Sequence, residues 1–263
     1  MKNLRRSIAA LAALLVAGVL TTGAAPAVAD GAQTEAGKPS GPQGDTWASI
    51  AKLPDWQGIW ELDWQHGGLG AARPAPPKLT PEAKARQDAY RKGQESGKDL
   101  QPDQANCLPP GMPGVMTQPY PIEFLYSPGK IVIAIEAYMQ FRHIYTDGRP
   151  HPKDPDPLFQ GHSIGHWEGD TLVVDTVGFV PFSNISPGVG HSDQMHIVER
   201  IHRSGPDTIL IEQTITDPKV LAEPWTVVHA YKLVKDDLRE YICEQNNHDS
   251  ADEEGRPGFK VTK

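Results

Sequence analysis

The sequence predicts a mainly β protein built on an antiparallel up-and-down barrel. From residue 122 onward, about nine short segments of apolar or alternating residues follow one another. Turn sequences such as those at 127–129 (SPG) and 168–170 (EGD) separate them, and no helical pattern lies between them. Because parallel strands need such crossovers, the strands should pair antiparallel, and closure would remove exposed sheet edges. A two-sheet β-sandwich is the alternative.

The N-terminus carries the pattern of a signal peptide over residues 1–29. Basic residues precede an apolar run at 8–20, and small residues at 27–29 form a cleavage site. The run is shorter than the roughly 20 residues of a membrane-spanning helix, and no cysteine for lipid attachment lies nearby. We therefore expect export, to the periplasm or the extracellular space after cleavage near Ala29, without membrane anchoring.

The charge balance argues against nucleic acid as a partner. The 263 residues include 25 Lys and Arg against 33 Asp and Glu, a formal net charge of −8. Cleavage would remove Lys2, Arg5 and Arg6 but no acidic residue, which makes the mature charge −11. Nucleic acids and anionic membranes need a basic face. The expected partner is therefore a small-molecule ligand or substrate, and the sequence does not indicate an oligomeric state.

The part of the chain before the core should contain few regular elements. Residues 30–47 are small, polar and aperiodic, which predicts a flexible linker. Residues 48–121 should hold one strand, one surface helix and an irregular Pro-rich arm. Thr80 is the expected N-cap of the helix, Pro81 suits its first position, and the pattern ends near Gly93. The strand is expected at Trp56–Trp60 and the arm at 101–121.

The barrel core is expected over residues 122–250, followed by a polar tail at 251–263. Its strands are recognised by the alternation of apolar and polar residues and by the turn residues at their ends. The expected strands are Ile122–Tyr126, Lys130–Tyr138, Gln140–Thr146, Ser163–Trp167, Thr171–Val177, Gln194–Arg203, Thr208–Ile215, Trp225–Val234 and Glu240–Glu244.

The two cysteines of the chain, Cys107 and Cys243, have two interpretations. In an oxidising compartment they would form a disulfide that ties the start of the core to its last strand. Closing so long a loop contributes roughly 5 kcal/mol in the chain-entropy model. The alternative is two unpaired cysteines in the core.

Charged and polar residues interrupt apolar strands where a barrel could direct them into one pocket. Burial in such a pocket moves the pKa values of carboxyl groups and histidines toward neutral pH, which suits acid–base chemistry. The structural alternative is a set of ion pairs between neighbouring strands involving Glu136, Arg142, Glu199 and Arg200. As ligand-binding candidates we select Arg142, Glu136, His229, Trp167 and Tyr145.

Three histidines lie in predicted loops or at strand ends, where functional residues collect. We assign His162, His166 and His191, together with Asp175, to catalysis. Residues 161–165 match the G-x-S-x-G elbow of serine hydrolases. Neither a buried strand before it nor a helix after it accompanies the match, so Ser163 is not expected to be a nucleophile.

The histidine spacings do not predict a metal site. His162 and His166 would share a strand face but lie about 13 Å apart, and His191 and His196, five residues apart, would point to opposite faces. The chain has no Cys-x-x-Cys or His-Glu-x-x-His pattern. One histidine from each pair together with a carboxylate could still bind a metal, but we expect neither a metal nor another cofactor.

The run GHSIGHWEGDTLVVDT at 161–176 resembles a segment of an uncharacterised family of exported bacterial proteins. The resemblance covers about residues 105–246. It implies export and supplies no reaction. The strand-and-hairpin pattern is also similar to lipocalin-like (calycin) barrels, as an analogy of architecture alone. Further matching pieces are YTDGR at 145–149, HSD at 191–193, ER at 199–200, DP at 217–218 and EYICE at 240–244.

Three functional hypotheses follow. The first is an exported small-molecule enzyme whose barrel pocket performs cofactor-free acid–base chemistry, as a lyase, isomerase, cyclase or hydrolase. In it, His166 or His191 is the base and Arg142 holds an anion or a developing oxyanion. The second is a periplasmic binding protein for an apolar small molecule, without catalysis. The third is a structural metalloprotein.

Overall fold

Nine strands close into a barrel, which confirms the predicted β-barrel. The computed structural model describes residues 39–63, 75–96 and 107–243, together with the backbone of 250–251 and 257–258. The predicted signal peptide lies outside the described residues, as does most of the predicted polar tail. The barrel strands are β1 (Ile59–Leu62), β2 (Ile122–Ser127), β3 (Lys130–Ile135), β4 (Gln140–Tyr145), β5 (His162–Glu168), β6 (Thr171–Val177), β9 (His196–Gly205), β10 (Thr208–Thr216) and β11 (Trp225–Val234).

The remaining elements lie outside the barrel wall. They are the helices α1 (Trp47–Ile50) and α2 (Pro81–Glu95), two short 3-10 turns (Gly114–Thr117 and Ala137–Met139), and the strand pairs β7 (Asn184–Ser186) with β8 (Val189–Gly190) and β12 (Ser250–Ala251) with β13 (Pro257–Gly258).

Helix α2 confirms the predicted surface helix. The Thr80 side chain accepts a hydrogen bond from the Ala83 backbone N–H at 3.3 Å, so it caps the first turn as expected. Pro81 occupies the first helical position. Ala83 is the one buried residue of the helix, as its polar sequence predicts.

One pair of barrel strands departs from the predicted antiparallel order. Strands β4 and β5 run parallel, with Ile144 opposite Ser163 and Tyr145 opposite Ile164. The long connection at 146–161 carries the chain back so that β5 starts in the direction of β4. A Pro-rich loop here replaces the helix that usually makes such a crossover.

Strand β1 closes the barrel between β2 and β11 and is antiparallel to both. The N-terminal strand expected at Trp56–Trp60 lies at Ile59–Leu62 instead, and it belongs to the barrel, so the barrel is not confined to residues 122–250. Trp60 and Trp56 are both fully buried, and the Trp60 indole donates to the Trp56 carbonyl oxygen at 2.9 Å.

The described part of the predicted linker at 30–47, residues 39–47, contacts the end of β5. Ser40 forms a bridge with Glu168, and its N–H donates to the Trp167 carbonyl at 2.8 Å. The Gln43 side chain donates to that same carbonyl and accepts from the Trp167 N–H. This polar segment acts as a short extra partner for the end of β5, because an amide side chain offers the same donor and acceptor as a peptide group.

Two predicted strands need correction. The strand expected at Lys130–Tyr138 ends at Ile135, because Tyr138 and Met139 adopt positive φ angles of 57° and 50° and turn the chain into β4. The strand expected at Glu240–Glu244 is absent over its described residues, 240–243. In that segment, Tyr241 instead contacts the turn before β4 through its ring and its backbone N–H.

The Pro-rich arm packs into the barrel core although it is irregular. Met112, Val115 and Met116 are buried with the strand side chains. The Tyr231 hydroxyl donates to the Met116 carbonyl at 2.6 Å and fixes the arm to β11. Large side chains fill the core, among them Trp56, Trp60, Trp167, Ile133, Ile144, Leu172 and Tyr231.

A disulfide joins Cys107 and Cys243 across 136 positions of the chain, so the paired interpretation of the two cysteines is confirmed. The bond attaches the start of the arm to the segment that follows β11. Within the described part of the chain, no helix has the length and apolar character needed to cross a bilayer.

Candidate functional site

A cluster of histidines and one carboxylate lies on the outer face of strands β5, β6 and β9. Side chains alternate along a strand, so Ser163 and Thr176 point inward and are fully buried. Their neighbours His162 and Asp175 point outward and are only partly buried. His196 at the start of β9 joins them on this face.

The carboxylate of Asp175 is the centre of the cluster. Its Oδ1 atom lies 2.9 Å from His151 Nε2 and 2.8 Å from His196 Nε2. The other ring nitrogen of His151, Nδ1, lies 2.9 Å from Nδ1 of His162. Asp175, His151 and His162 therefore form one hydrogen-bonded chain, which we call the His–His–Asp relay.

The surroundings shift the pKa values of two relay members. Partial burial acts to raise the pKa of the Asp175 carboxyl, but the hydrogen bonds from His151 and His196 outweigh it and hold that pKa well below its usual range. For His162, partial burial and then the nearby His151 and Arg149 side chains lower the pKa. At neutral pH the relay therefore contains an ionised carboxylate and an uncharged His162.

The acceptor character of Asp175 determines where the protons of the relay lie. An ionised carboxylate only accepts, so His151 carries its proton on Nε2. In neutral His151 the Nδ1 lone pair then accepts from Nδ1–H of His162. This leaves the lone pair on Nε2 of His162, an atom with no hydrogen-bond partner among the described residues. The relay thus presents one free basic nitrogen.

An aromatic ring and a cation border the relay. The ring of Tyr145 stacks on that of His162 with centroids 5.5 Å apart. The Tyr145 ring also contacts the guanidinium of Arg149, which lies 4.0 Å from the ring centre. Asp147 binds this guanidinium at 2.9 Å. Tyr145, a predicted ligand-binding residue, therefore lies beside the predicted catalytic pair His162 and Asp175.

Arg142 lies in the barrel interior, where each nitrogen of its guanidinium is hydrogen-bonded to a buried side chain. Its Nη1 donates to Glu199 Oε1 at 3.0 Å, and Nη2 pairs with the second carboxylate oxygen. Nη2 also donates to Thr176 Oγ1 at 3.0 Å, and Nε donates to Ser163 Oγ at 3.3 Å. Since these groups are all fully buried, Arg142 is part of a structural ion pair, the alternative that the sequence left open.

His229 and Trp167 also point into the packed interior. His229 is 2% exposed, and neither ring nitrogen has a hydrogen-bond partner within the described part of the chain. Burial lowers the pKa of His229 to about 4, although the nearby Glu199 acts to raise it. Trp167 packs on Trp56 with ring centroids 5.0 Å apart. Neither residue contacts the relay in the structure.

His166 lies on the same outer face as His162 but in a separate group. Its Nε2 is 3.1 Å from Glu168 Oε1, and Arg200 donates to the other Glu168 oxygen at 2.9 Å. His166 and His162 are four residues apart on one strand, about 13 Å. The structure therefore places these two predicted catalytic histidines in different ion-pair networks.

His191 stabilises a loop, and its hydrogen-bond partners do not belong to the relay. Its Nε2 lies 2.7 Å from the Val180 carbonyl oxygen, and its Nδ1 lies 2.7 Å from that of Ser192. The Ser183 hydroxyl also lies 3.0 Å from Nε2, so both ring nitrogens are occupied by polar groups of this loop. The adjoining Ser192 is bound through its N–H and its hydroxyl to the buried carboxylate of Asp217.

Glu136 lies at the turn between β3 and β4, on the rim of an open groove. Its Oε2 accepts from the Arg239 backbone N–H at 2.7 Å. This position is separate from both the relay and the barrel interior. The five ligand-binding candidates are therefore distributed over three places rather than one pocket.

Sequence reasoning missed two members of the cluster, His151 and His196. Ile197 and Glu199 point into the barrel and are fully buried, so the alternation of side chains along β9 could have placed His196 outside with Asp175. His151 lies in the 146–161 connection, where no periodic pattern exists to locate it. Among the described residues, no three His, Cys, Asp or Glu side chains are grouped so as to hold a metal ion.

Comparison with known proteins does not add an assignment to this geometry. The chain matches no protein-family model, and no curated protein matches it significantly.

Proposed function

We propose that the protein is an exported enzyme that performs cofactor-free acid–base chemistry on a small organic molecule, with His162 as the base. The observation that carries the proposal is the hydrogen-bonded chain from His162 through His151 to Asp175. It differs from the expected barrel pocket, because the interior charges of Arg142 and Glu199 are already paired with each other.

The relay supports proton transfer in both directions. Nε2 of His162 takes a proton from the substrate, and the positive charge that forms is stabilised through His151 by the Asp175 carboxylate. The same Nε2–H then returns the proton as a general acid. The lowered pKa of His162 keeps its base form available at neutral pH. Stacking on Tyr145 fixes the ring plane of His162.

Export is supported by two independent features. The N-terminal sequence has the charge, apolar run and small-residue site of a leader. The disulfide between Cys107 and Cys243 suits an oxidising compartment. Membership in the exported family that shares the run at 161–176 is part of the same proposal.

A general-base probe tests the proposal without knowledge of the natural substrate. Nitrobenzisoxazole loses its ring C–H proton to a base while its N–O bond breaks, which releases a coloured cyanonitrophenolate. We expect the wild-type protein to react about a hundredfold faster than the same concentration of free imidazole. His162→Ala should abolish this excess rate.

His202→Ala is the matched control, because His202 is another partly buried histidine on the outer face of β9. It should retain the wild-type rate. A wild-type rate no higher than that of imidazole, or an equal loss in both variants, would refute the role of His162.

A further inference from the structure

A second feature of the outer surface is an open groove at the turn between β3 and β4. Its cavity volume is about 300 Å³, at the lower end of the range of small-molecule sites. One wall is formed by the turn and the start of β4, and the other by the segment after β11. The principal lining residues are Ile135, Glu136, Met139, Phe141, Leu238 and Glu240.

The apolar part of the groove is unusually accessible. Met139 is 46% exposed and Phe141 is 54% exposed. They are close in sequence and line the same cavity. Exposed apolar side chains that adjoin in a concave site are typical of a binding surface.

The turn that presents these side chains is held in an unfavourable conformation. Tyr138 and Met139 are consecutive non-glycine residues with φ of 57° and 50°, a region that side chains disfavour. The Tyr138 ring packs on Tyr241 at 5.0 Å, and Tyr241 packs on Tyr120 at 5.1 Å. Strained backbone of this kind persists where surrounding contacts determine it, and it concentrates at functional sites.

The second wall of the groove is anchored covalently. Cys243, two residues beyond Tyr241, is bonded to Cys107. The backbone N–H of Tyr241 also contacts the Met139 sulfur at 3.4 Å. The groove is therefore a preformed cleft between two fixed segments, which lowers the entropic cost of binding.

Acidic groups give the groove a negative character. Glu136 accepts the Arg239 backbone N–H through Oε2, and its Oε1 has no hydrogen-bond partner among the described residues. Glu240 adds a second carboxylate to the lining. The one cation of the lining, Arg239, directs its guanidinium to Asp236 at 3.2 Å. The charge that complements this site is positive.

We propose that this groove binds small organic cations that carry an apolar or aromatic body. The ammonium group would lie at Oε1 of Glu136, and the apolar body would cover Met139 and Phe141, whose ring can also contact the cation. This site is independent of the relay. Phe141 and Tyr145 are four residues apart on β4, about 13 Å, so a ligand of this size does not reach His162.

Binding of phenethylammonium tests the proposal, with phenylpropanoate as an anion of similar size and shape. Backbone NMR spectra of the oxidised full chain are recorded during titration with each compound. We expect saturable shifts for the cation, centred on residues 134–141 and 238–240, and binding of the anion at least about tenfold weaker. Equal affinity for both compounds, or no saturable shift with the cation, would overturn the proposal.

Two variants test whether the cation binds in the groove at Glu136. Glu136→Gln keeps an acceptor for the Arg239 N–H and removes the charge, and it should weaken cation binding about tenfold. Leu158→Ser is the control, because Leu158 is similarly exposed, at 50%, and does not line the groove. The same spectra report whether each variant is folded. Unchanged affinity in folded Glu136→Gln would place the cation elsewhere and contradict the proposal.

Discussion

The Nδ1 atoms of His151 and His162 lie 2.9 Å apart, so one ring donates to the other. Nε2 of His151 donates to the Asp175 carboxylate, so when the His151 ring is uncharged its Nδ1 accepts and the shared proton belongs to His162. A surface carboxylate thereby determines the tautomer of a histidine that it does not touch. The arrangement makes Nε2 of His162 the free basic atom of the site.

The tautomers can be observed directly. At pH 7.5, long-range nitrogen–proton NMR of histidine-labelled protein should show His151 protonated at Nε2 and His162 protonated at Nδ1. His196, whose Nε2 also donates to Asp175, should show the Nε2 form. Protonation of His151 at Nδ1 would contradict the relay.

Removal of the Asp175 charge should weaken the base without removing it. Asp175→Asn should slow the nitrobenzisoxazole reaction about tenfold to a hundredfold, because the imidazolium that forms on His162 loses its counter-charge. Combined with His162→Ala, the substitution should cause no further loss, since both act through one relay. Additive losses in the double variant would show that the two residues act separately.

The ion pair of Arg142 and Glu199 should stabilise the barrel only while both partners are present. Glu199→Gln leaves a buried, uncompensated guanidinium and should lower the free energy of unfolding by about 3–5 kcal/mol in urea titrations. Arg142→Met with Glu199→Leu removes both charges and should recover most of that loss. A loss below about 1 kcal/mol for the single variant would indicate that solvent reaches the pair.

His229 should make the protein sensitive to acid. Its pKa is about 4 in the folded chain and about 6.5 when unfolded. Below pH 6.5 the unfolded chain therefore binds a proton that the folded chain does not. The contribution of neutral, buried His229 to the free energy of unfolding is intact above pH 6.5. It is lost as the pH falls toward 4, and the free energy of unfolding decreases by about 3 kcal/mol in all.

Comparison of variants isolates this contribution from that of the carboxyl groups. His229→Leu should reduce the slope of unfolding free energy against pH between 6.5 and 4, as measured by urea titration at each pH. His202→Leu, at a partly exposed position, should leave the slope unchanged. Parallel profiles for wild type and His229→Leu would show that His229 is accessible to protons in the folded state.

The disulfide should contribute strongly to stability. A closed loop spanning 136 positions corresponds to about 5 kcal/mol in the chain-entropy model. Joint replacement of Cys107 and Cys243 by serine should lower the free energy of unfolding by up to that amount. Reduction of the wild-type protein should reproduce the loss, and a double variant as stable as the oxidised protein would contradict this role.

Local sequence patterns were sufficient to predict most strands of the barrel. Strands Thr171–Val177 and Trp225–Val234 begin and end where alternation and turn residues predict. The Thr80 cap likewise located helix α2. The prediction failed where the chain turns without glycine, at Tyr138 and Met139, because a left-handed conformation of such residues depends on their packing.

For the candidate site, the sequence by itself determined which residues lie on which face of a strand. Period-two alternation separates outward Asp175 and His162 from inward Thr176 and Ser163, since successive side chains of a strand point in opposite directions. Only the tertiary structure decided which face carries the free base. Closure of the barrel brought Arg142 onto Glu199, and the 146–161 connection brought His151 onto Asp175. Both contacts join residues distant in sequence, so no local periodicity encodes them.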